Sequence, residues 1–120
     1  MKISLLGYGK MGKAIEKIAL SRNHEIVSII DKKKIKGEIS NSDVAINFSI
    51  PSSAKDNIML ALKNDIPVIS GTTGWLNELK FVENYCFENN KTFLYSSNFS
   101  IGVNIFFKIN EVLSKLIKPY

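Results

Sequence analysis

Lys2-Ile3-Ser4-Leu5-Leu6-Gly7-Tyr8-Gly9-Lys10-Met11-Gly12 is the stretch on which the fold turns. Its first residues predict a short buried strand over 2–6, which a GxGxxG then interrupts. A helical pattern follows, with Met11, Ile15, Ile18 and Ala19 spaced for one face. Ser21-Arg22-Asn23-His24 is a polar exit, and a second strand over 25–30 ends at Asp31, 19 positions after Gly12. In this strand–turn–helix–strand setting each glycine has a mechanical reason. Gly7 permits the tight turn, Gly9 lets the backbone approach a pyrophosphate, and Gly12 allows close helix–strand packing. The helix N-terminus presents free N–H groups to phosphates, and Asp31 stands where a carboxylate accepts both hydroxyls of a ribose. The expectation is a dinucleotide site built from Gly7, Tyr8, Gly9, Lys10, Met11, Gly12 and Asp31.

Working outward, a lysine-rich loop is expected from Lys32 to Asn41, with Gly37 as its turn residue. Strands are predicted over 43–48, 67–70 and 92–96. Pro51-Ser52-Ser53 opens a helix whose apolar face is Ala54, Ile58, Ala61 and Leu62. Gly71-Thr72-Thr73-Gly74 leads into another helix through Leu76, Leu79, Val82 and Cys86. A final helix carries Ile105, Ile109, Val112 and Leu116 on one stripe. Strands alternating with helices imply an α/β, Rossmann-type doubly wound parallel sheet. The loops 7–12, 31–34, 71–75 and 96–99 all follow directly on strands, so all four are expected on one rim, where such sheets bind ligands.

The 120 residues are one domain's worth of chain, and 45% hydrophobic against 22% charged content excludes a disordered segment. Neither a membrane span nor a secretory leader is evident, and one cysteine, Cys86, excludes an internal disulfide framework. A cytoplasmic protein without nucleic-acid or membrane partners is expected. The net charge of +5 does not alter that, because Arg22 is the only arginine among sixteen basic residues. Abundant lysine, asparagine and isoleucine are what an A·T-rich genome over-produces.

Asp31 favours NAD by bonding the ribose and repelling a 2′-phosphate, while Lys32 beside it offsets that repulsion. If Lys32 points inward, NADH and NADPH are both tolerated; Lys33 and Lys34 read as a solvated charged loop. Gly71, Thr72 and Thr73 offer N–H groups and hydroxyls on the nicotinamide side, although threonine also caps helices well. Trp75 reads as packing, Cys86 as core and His24 as surface. Nothing has metal-ligand spacing or resembles a nucleophile–base pair.

Taken together, the glycine motif, the stretch Asp43 to Pro51, Gly71-Thr72-Thr73-Gly74 and Ser97-Asn98-Phe99-Ser100-Ile101-Gly102-Val103-Asn104 resemble, in order and spacing, the N-terminal half of the 4-hydroxy-tetrahydrodipicolinate reductase (dihydrodipicolinate reductase) family of the diaminopimelate route to lysine. Asn47 departs from the aspartate the resemblance leads one to expect, a change between near-isosteres. The resemblance implies that Gly7–Gly12 hold the pyrophosphate and Asp31 with Lys32 the adenosine ribose. It further implies that Phe48, Gly71, Thr72, Thr73, Ser96, Ser97, Asn98 and Phe99 line the nicotinamide site. The implied activity is NADH- or NADPH-dependent reduction of a small cyclic imine-type substrate in a homotetramer.

The resemblance also implies a dinucleotide-binding domain over 1–99 and, over 100–120, a hinge and the first helix of a substrate domain. The family's proton donors lie in a later histidine-rich segment, whereas this chain has no histidine after His24. The expectation is therefore a fragment or truncated product holding the cofactor half, with no catalytic residue of its own and no turnover alone. Two alternatives stay open: a stand-alone NAD(P)-binding sensor or partner module, and the cofactor domain of another amino-acid dehydrogenase, such as homoserine dehydrogenase.

Overall fold

The architecture comes from a computed structural model, which describes residues 1–32 and 34–119; Lys33 and Tyr120 lie outside the described residues. In chain order the elements are β1 (Lys2–Leu6), α1 (Lys10–Ser21), β2 (Glu25–Asp31), β3 (Lys34–Gly37), β4 (Val44–Asn47), α2 (Pro51–Lys63), β5 (Val68–Ser70), α3 (Leu79–Asn89), β6 (Phe93–Tyr95) and α4 (Ile101–Ile117). Short 3-10 turns precede β4 and α3. The six strands form one sheet in the order β3-β2-β1-β4-β5-β6. Apart from the β2–β3 hairpin every pairing is parallel, so the chain reverses its direction of travel between β1 and β4. That is the doubly wound arrangement expected from the alternating pattern.

β3 departs from the expected loop. Lys34–Gly37 pairs antiparallel with β2, Asp31 opposite Lys34 and Ser28 opposite Gly37. All four of its residues are exposed, so neither face carries the buried alternation by which a strand is recognised. Lysines on an exposed edge also discourage pairing with another chain. Gly37 is the expected special residue (φ +69°), placed within the strand where a side chain would strike the Val27 carbonyl.

Alternation along β1 feeds two layers. Ser4 and Leu6 face α2 and α3, where Ala45, Ala54, Ile58, Leu62, Val68 and Val82 close the larger core. All four residues expected on the apolar face of α2 are buried, and Pro51 occupies its first turn, where its missing N–H costs nothing. Trp75 is buried as packing. Its ring meets Phe93 and Tyr95 edge-on at 6.1 and 5.7 Å, and its indole N–H donates to the Thr72 carbonyl at 2.7 Å. Cys86 packs half-buried against this core, and burial pushes its thiol pKa up. His24 sits at the opposite end of the sheet from the glycine turn, beside the N-terminal amine.

The other layer is thinner. Ile3, Leu5 and Ile29 meet Ala19 of α1, and Gly12 is buried, while Met11 and Ile18, expected on the same face, are about half exposed. The reason is coverage: α1 lies over β1 and β2, and Leu94 of β6 on that side of the sheet stays exposed. Leu76 also departs from expectation. It lies exposed in the 3-10 turn, and α3 begins only at Leu79. The stripe on α4 exists in register but is not buried among the described residues; Ile105, Ile109, Val112 and Leu116 are 49–66% exposed. Among the described residues no helix is long and apolar enough to cross a membrane.

This asymmetry sets a stability contrast. Leu6→Ala empties a fully buried site between the sheet and α2 and should cost about 2–5 kcal/mol in urea unfolding followed by circular dichroism. Leu116→Ala on α4 should stay within about 0.5 kcal/mol. Equal losses would mean that α4 is packed in solution.

Candidate functional site: the carboxyl rim of the sheet

Because β1, β2, β4, β5 and β6 run parallel, the loops after them share one rim. The four loops expected there are all on it, Lys33 alone lying outside the described residues. The β1 turn is wedged between its neighbours: the Gly7 N–H donates to the Ile30 carbonyl at 2.8 Å, and the Phe48 N–H to the Leu6 carbonyl at 2.9 Å. Gly7 has φ +92°, and a Cβ there would sit 2.8 Å from the Phe48 carbonyl carbon, so only glycine fits. A Cβ on Gly12 would fall 2.5 Å from the Gly7 carbonyl oxygen. Gly9 differs from both. It is the N-cap of α1, exposed, with negative φ, and a Cβ there meets nothing within 4 Å.

That open space lies at the end of a helix with no side-chain cap and no acid in its first turn. The first N–H groups of α1 are therefore unclaimed by side chains, and the positive end of the helix dipole faces outward. Lys10 and Lys13 stand exposed beside it. The combination has the polarity that suits an anion such as phosphate.

Next to it opens a cleft of about 380 Å³. Asp31, half-buried at the end of β2, and exposed Lys32 form one wall. Ile30 and Ile50 give it apolar surface, and Ser49, Ser53 and Asn57 give it polar edges. Sequence reasoning missed these α2-side residues. The signal was present, because residues 48–53 also follow a parallel strand and the rule that put four loops on the rim applies to them.

On the other side of the switch point, Phe48 and Phe99 meet edge-on at 6.2 Å. They border a second, mostly apolar cavity of about 620 Å³ with Met11, Ile46, Ile69 and Ser97. Gly71 is pressed against the Phe48 ring, with no room for a Cβ, and its N–H donates to the Asn47 carbonyl at 3.0 Å. Thr72 is buried and its hydroxyl is spent inside the protein, accepting from the Ser49 N–H at 2.9 Å, whereas Thr73 is exposed at the rim.

The Ser96 hydroxyl and the Asn98 side-chain oxygen likewise bond locally. The Ser96 hydroxyl donates to the Asn98 carbonyl at 2.9 Å, and Asn98 Oδ1 accepts from the Ser100 N–H at 2.8 Å. Ser100 caps α4, and Asn104 Nδ2 ties back to the Asn98 and Ser100 carbonyls. The Ser97–Asn104 motif thus has a local use, as a self-braced turn into a helix.

The side chain of Tyr8 turns away from the glycine turn's open side. Its hydroxyl donates to the Glu16 carboxylate, and the Lys34 ammonium lies 4.4 Å from its ring centroid. Of the sixteen expected site residues, Tyr8 therefore contributes backbone rather than side chain.

Residues 1–99 match the family described as "Dihydrodipicolinate reductase, N-terminus". The chain belongs to that family. It is 43% identical over 120 residues to the 4-hydroxy-tetrahydrodipicolinate reductase of Christiangramia forsetii, covering 98% of this chain and 50% of the relative. Against the reductase of Methanocaldococcus jannaschii the identity is 36% over 117 residues, covering 97% and 38%. The chain spans about half the length, or less, of these curated relatives.

Among solved structures it resembles a hyperthermophilic archaeal homoserine dehydrogenase in complex with NADPH (TM-score 0.63, 16% identity, 80% of this chain and 43% of that one). A homoserine dehydrogenase from S. aureus is also similar (TM-score 0.52, 22% identity, 79% and 32%). At those identities the likeness speaks for the fold alone.

The hydrogen bond to Glu16 holds the Tyr8 phenol above the ordinary tyrosine value, with burial and the carboxylate's charge adding to it. A raised folded-state pKa stabilises below the unfolded value, near 10, and that contribution is lost as pH rises through the folded value. In an ultraviolet titration one tyrosine should ionise later than the others, and Glu16→Gln should bring it back among them. An unchanged late phase in Glu16→Gln would assign it elsewhere.

Proposed function

We propose that this chain binds NADH or NADPH along the rim and is the cofactor-binding half of a cytoplasmic NAD(P)H-dependent 4-hydroxy-tetrahydrodipicolinate reductase. That enzyme would make tetrahydrodipicolinate on the diaminopimelate route to lysine. The observation that carries the reading is the open space at Gly9, at an uncapped helix N-terminus and next to the Asp31 cleft. A pyrophosphate fits there because the backbone is bare and positively polarised, and because Gly7 and Gly12, pinned by backbone neighbours, hold the turn in shape.

In this reading Gly7, Gly9 and the first N–H groups of α1 hold the pyrophosphate, with Lys10 and Met11 flanking it. Asp31 accepts the adenosine ribose hydroxyls, and Lys32, on the same wall of the cleft, makes a 2′-phosphate tolerable. Ile30 and Ile50 give the adenine a low-dielectric slot. Phe48, Gly71, Thr73, Ser97 and Phe99 border the nicotinamide end, where apolar surface keeps water from the reacting carbon. The nicotinamide, when bound, supplies the hydride.

Hydride addition to a C=N or conjugated acceptor leaves negative charge that a placed proton donor relieves, a contribution of about 10²–10⁴-fold. Among the described rim residues the candidates are Lys10, Lys32, Thr73 and Ser97. The lysines are engaged with phosphate and ribose in this reading, and the hydroxyls are too weakly acidic. The donor and the walls that orient the substrate are therefore assigned to the half of the family's length that this chain does not span.

Two outcomes test the proposal. NADH should bind the 120-residue chain, read by Trp75 fluorescence or calorimetry, and Gly9→Val should abolish binding with the melting temperature little changed, because its side chain points into ligand space. Equal affinity in both proteins would sink the phosphate assignment. The chain alone should bind cofactor without turnover, and fusing the later half of a related reductase after Pro119 should restore the reaction. Full activity from residues 1–120 alone would place a proton donor among the residues assigned a purely structural role.

A further inference from the structure

Asn47 is the last residue of β4, fully buried, in register with Leu6 of β1 and Ser70 of β5. It therefore stands at the point where the strand order reverses. Its Nδ2 donates to the Ser70 hydroxyl at 2.9 Å and to Thr72 Oγ1 at 3.3 Å. Thr72 Oγ1 also accepts from the Ser49 N–H at 2.9 Å and donates to the Ser49 carbonyl at 3.3 Å. That hydroxyl is saturated, with two bonds accepted and one donated. Asn47 Oδ1, by contrast, is buried without a partner. An orphaned acceptor of this kind costs about 1–3 kcal/mol, so the donor half of the amide is what the site uses.

We propose that Asn47 is the positioning residue for the nicotinamide side of the rim: its amide donates to Ser70 and Thr72, orients the Thr72 hydroxyl toward the Ser49 carbonyl, and so clamps the Gly71–Thr73 loop to the turn that follows β4. The inference rests on the cofactor reading above and deepens it. In this chain, where asparagine stands in place of the aspartate the resemblance leads one to expect, the donor character is what holds Thr72 in this arrangement. A carboxylate here cannot donate and would claim the Thr72 proton, and the Thr72–Ser49 carbonyl bond would be lost. The shape of aspartate and asparagine is nearly the same, but the direction of the hydrogen bonds is opposite.

Beyond the Ser70 and Thr72 hydroxyls, the surroundings offer a carboxylate no charged partner. β5 and the turns at Phe48–Ile50 and Gly71–Trp75 carry no titratable side chain, and β1 has only Lys2, at its far end. On α2, Lys55 is held by Glu78 at 2.7 Å, and Asp56 and Lys63 are exposed. A carboxyl introduced at 47 meets burial, which raises its pKa, against the two hydroxyls, which lower it, and it reproduces the donation of the amide only in its neutral form.

The experiment compares NADH with ADP-ribose, which carries adenosine and pyrophosphate but no nicotinamide. Asn47→Ala should weaken NADH about tenfold and leave ADP-ribose within about twofold, the loss of roughly one net hydrogen bond's worth of loop positioning. Trp75 emission should shift in the free variant, because the indole is bonded to the Thr72 carbonyl. Asn47→Asp, which keeps the shape, should bind NADH nearly as wild type near pH 5. Its affinity relative to wild type should then fall toward pH 8 as the carboxyl ionises. Equal loss of both ligands in Asn47→Ala, or a pH-independent ratio in Asn47→Asp, would make Asn47 a structural residue only and overturn the proposal. Wild-type chain binding neither NADH nor ADP-ribose would instead reject the cofactor reading, and this inference with it.

Discussion

The structure depends on the backbone of Gly7 being squeezed between the ends of β2 and β4. Its N–H reaches the Ile30 carbonyl on one side, and on the other its α-carbon lies against the Phe48 carbonyl with no space for a side chain. Three strand ends are thereby locked at one height, and α1 is launched from that height with its first N–H groups facing outward. The same constraint separates the rim into the cleft beside Asp31 and the apolar cavity beside Phe48 and Phe99. A larger residue at Gly7 would push β4 from β1 and open the sheet at its switch point. By contrast Gly9, two residues on, touches nothing, so within one motif one glycine serves the fold and the other serves the space in front of it.

The two faces of the sheet are unequally finished. The α2–α3 face is closed around Leu6, Ala45, Ile58, Val68 and Trp75, and the indole closes it while tying down the Thr72 carbonyl. The α1 face is covered over β1, β2 and part of β4, and the apolar side of α4 stays about half exposed or more among the described residues. Burying a large aliphatic side chain is worth about 1.5–3 kcal/mol, so the row Ile105, Ile109, Val112 and Leu116 holds a reserve of association energy that the described residues leave unused. The stripe is legible at helical spacing without any contact behind it, because periodicity reports what a helix offers and not what covers it.

What can be read from the sequence follows where side-chain burial follows period. β1, β2, β4, α2 and Asp31 at the end of β2 are all legible, because apolar alternation or a glycine break marks each. β3 is not, since Lys34-Ile35-Lys36-Gly37 buries nothing on either face. Spacing alone puts Met11 and Ile18 on the buried face of α1, and partial coverage of the sheet overrides it. On the site, glycine chemistry locates the open helix N-terminus, but Ser53 and Asn57 on α2 carry no local signal and enter only through the topology. Thr72 and Asn98 are legible as rim residues. That their side chains serve the protein's own backbone, Thr72 from a buried position at Ser49 and Asn98 locally at Ser100, follows only from three-dimensional packing.

The charge pattern carries the last step. The number of lysines fits codon bias, but their placement is not uniform. Among the described residues Lys55, Lys80, Lys91, Lys108 and Lys115 are paired with acids, and all lie on α2 or later in the chain. Lys10, Lys13, Lys32 and Lys34, around the glycine turn and the β2–β3 hairpin, form no ion pair among the described residues, and two of them lie over the Tyr8 ring instead. Paired charges cancel beyond a Debye length of about 8–10 Å, whereas unpaired ones of one sign add. The field around the N-terminal end of α1 is therefore positive beyond what the helix dipole gives. Two acids are set within it, Glu16, which takes the Tyr8 hydroxyl, and Asp31, so on the reading proposed above the phosphates are attracted by the surroundings and the ribose is selected by Asp31. The direction of the field therefore comes from which lysines the acids engage and not from the number of lysines.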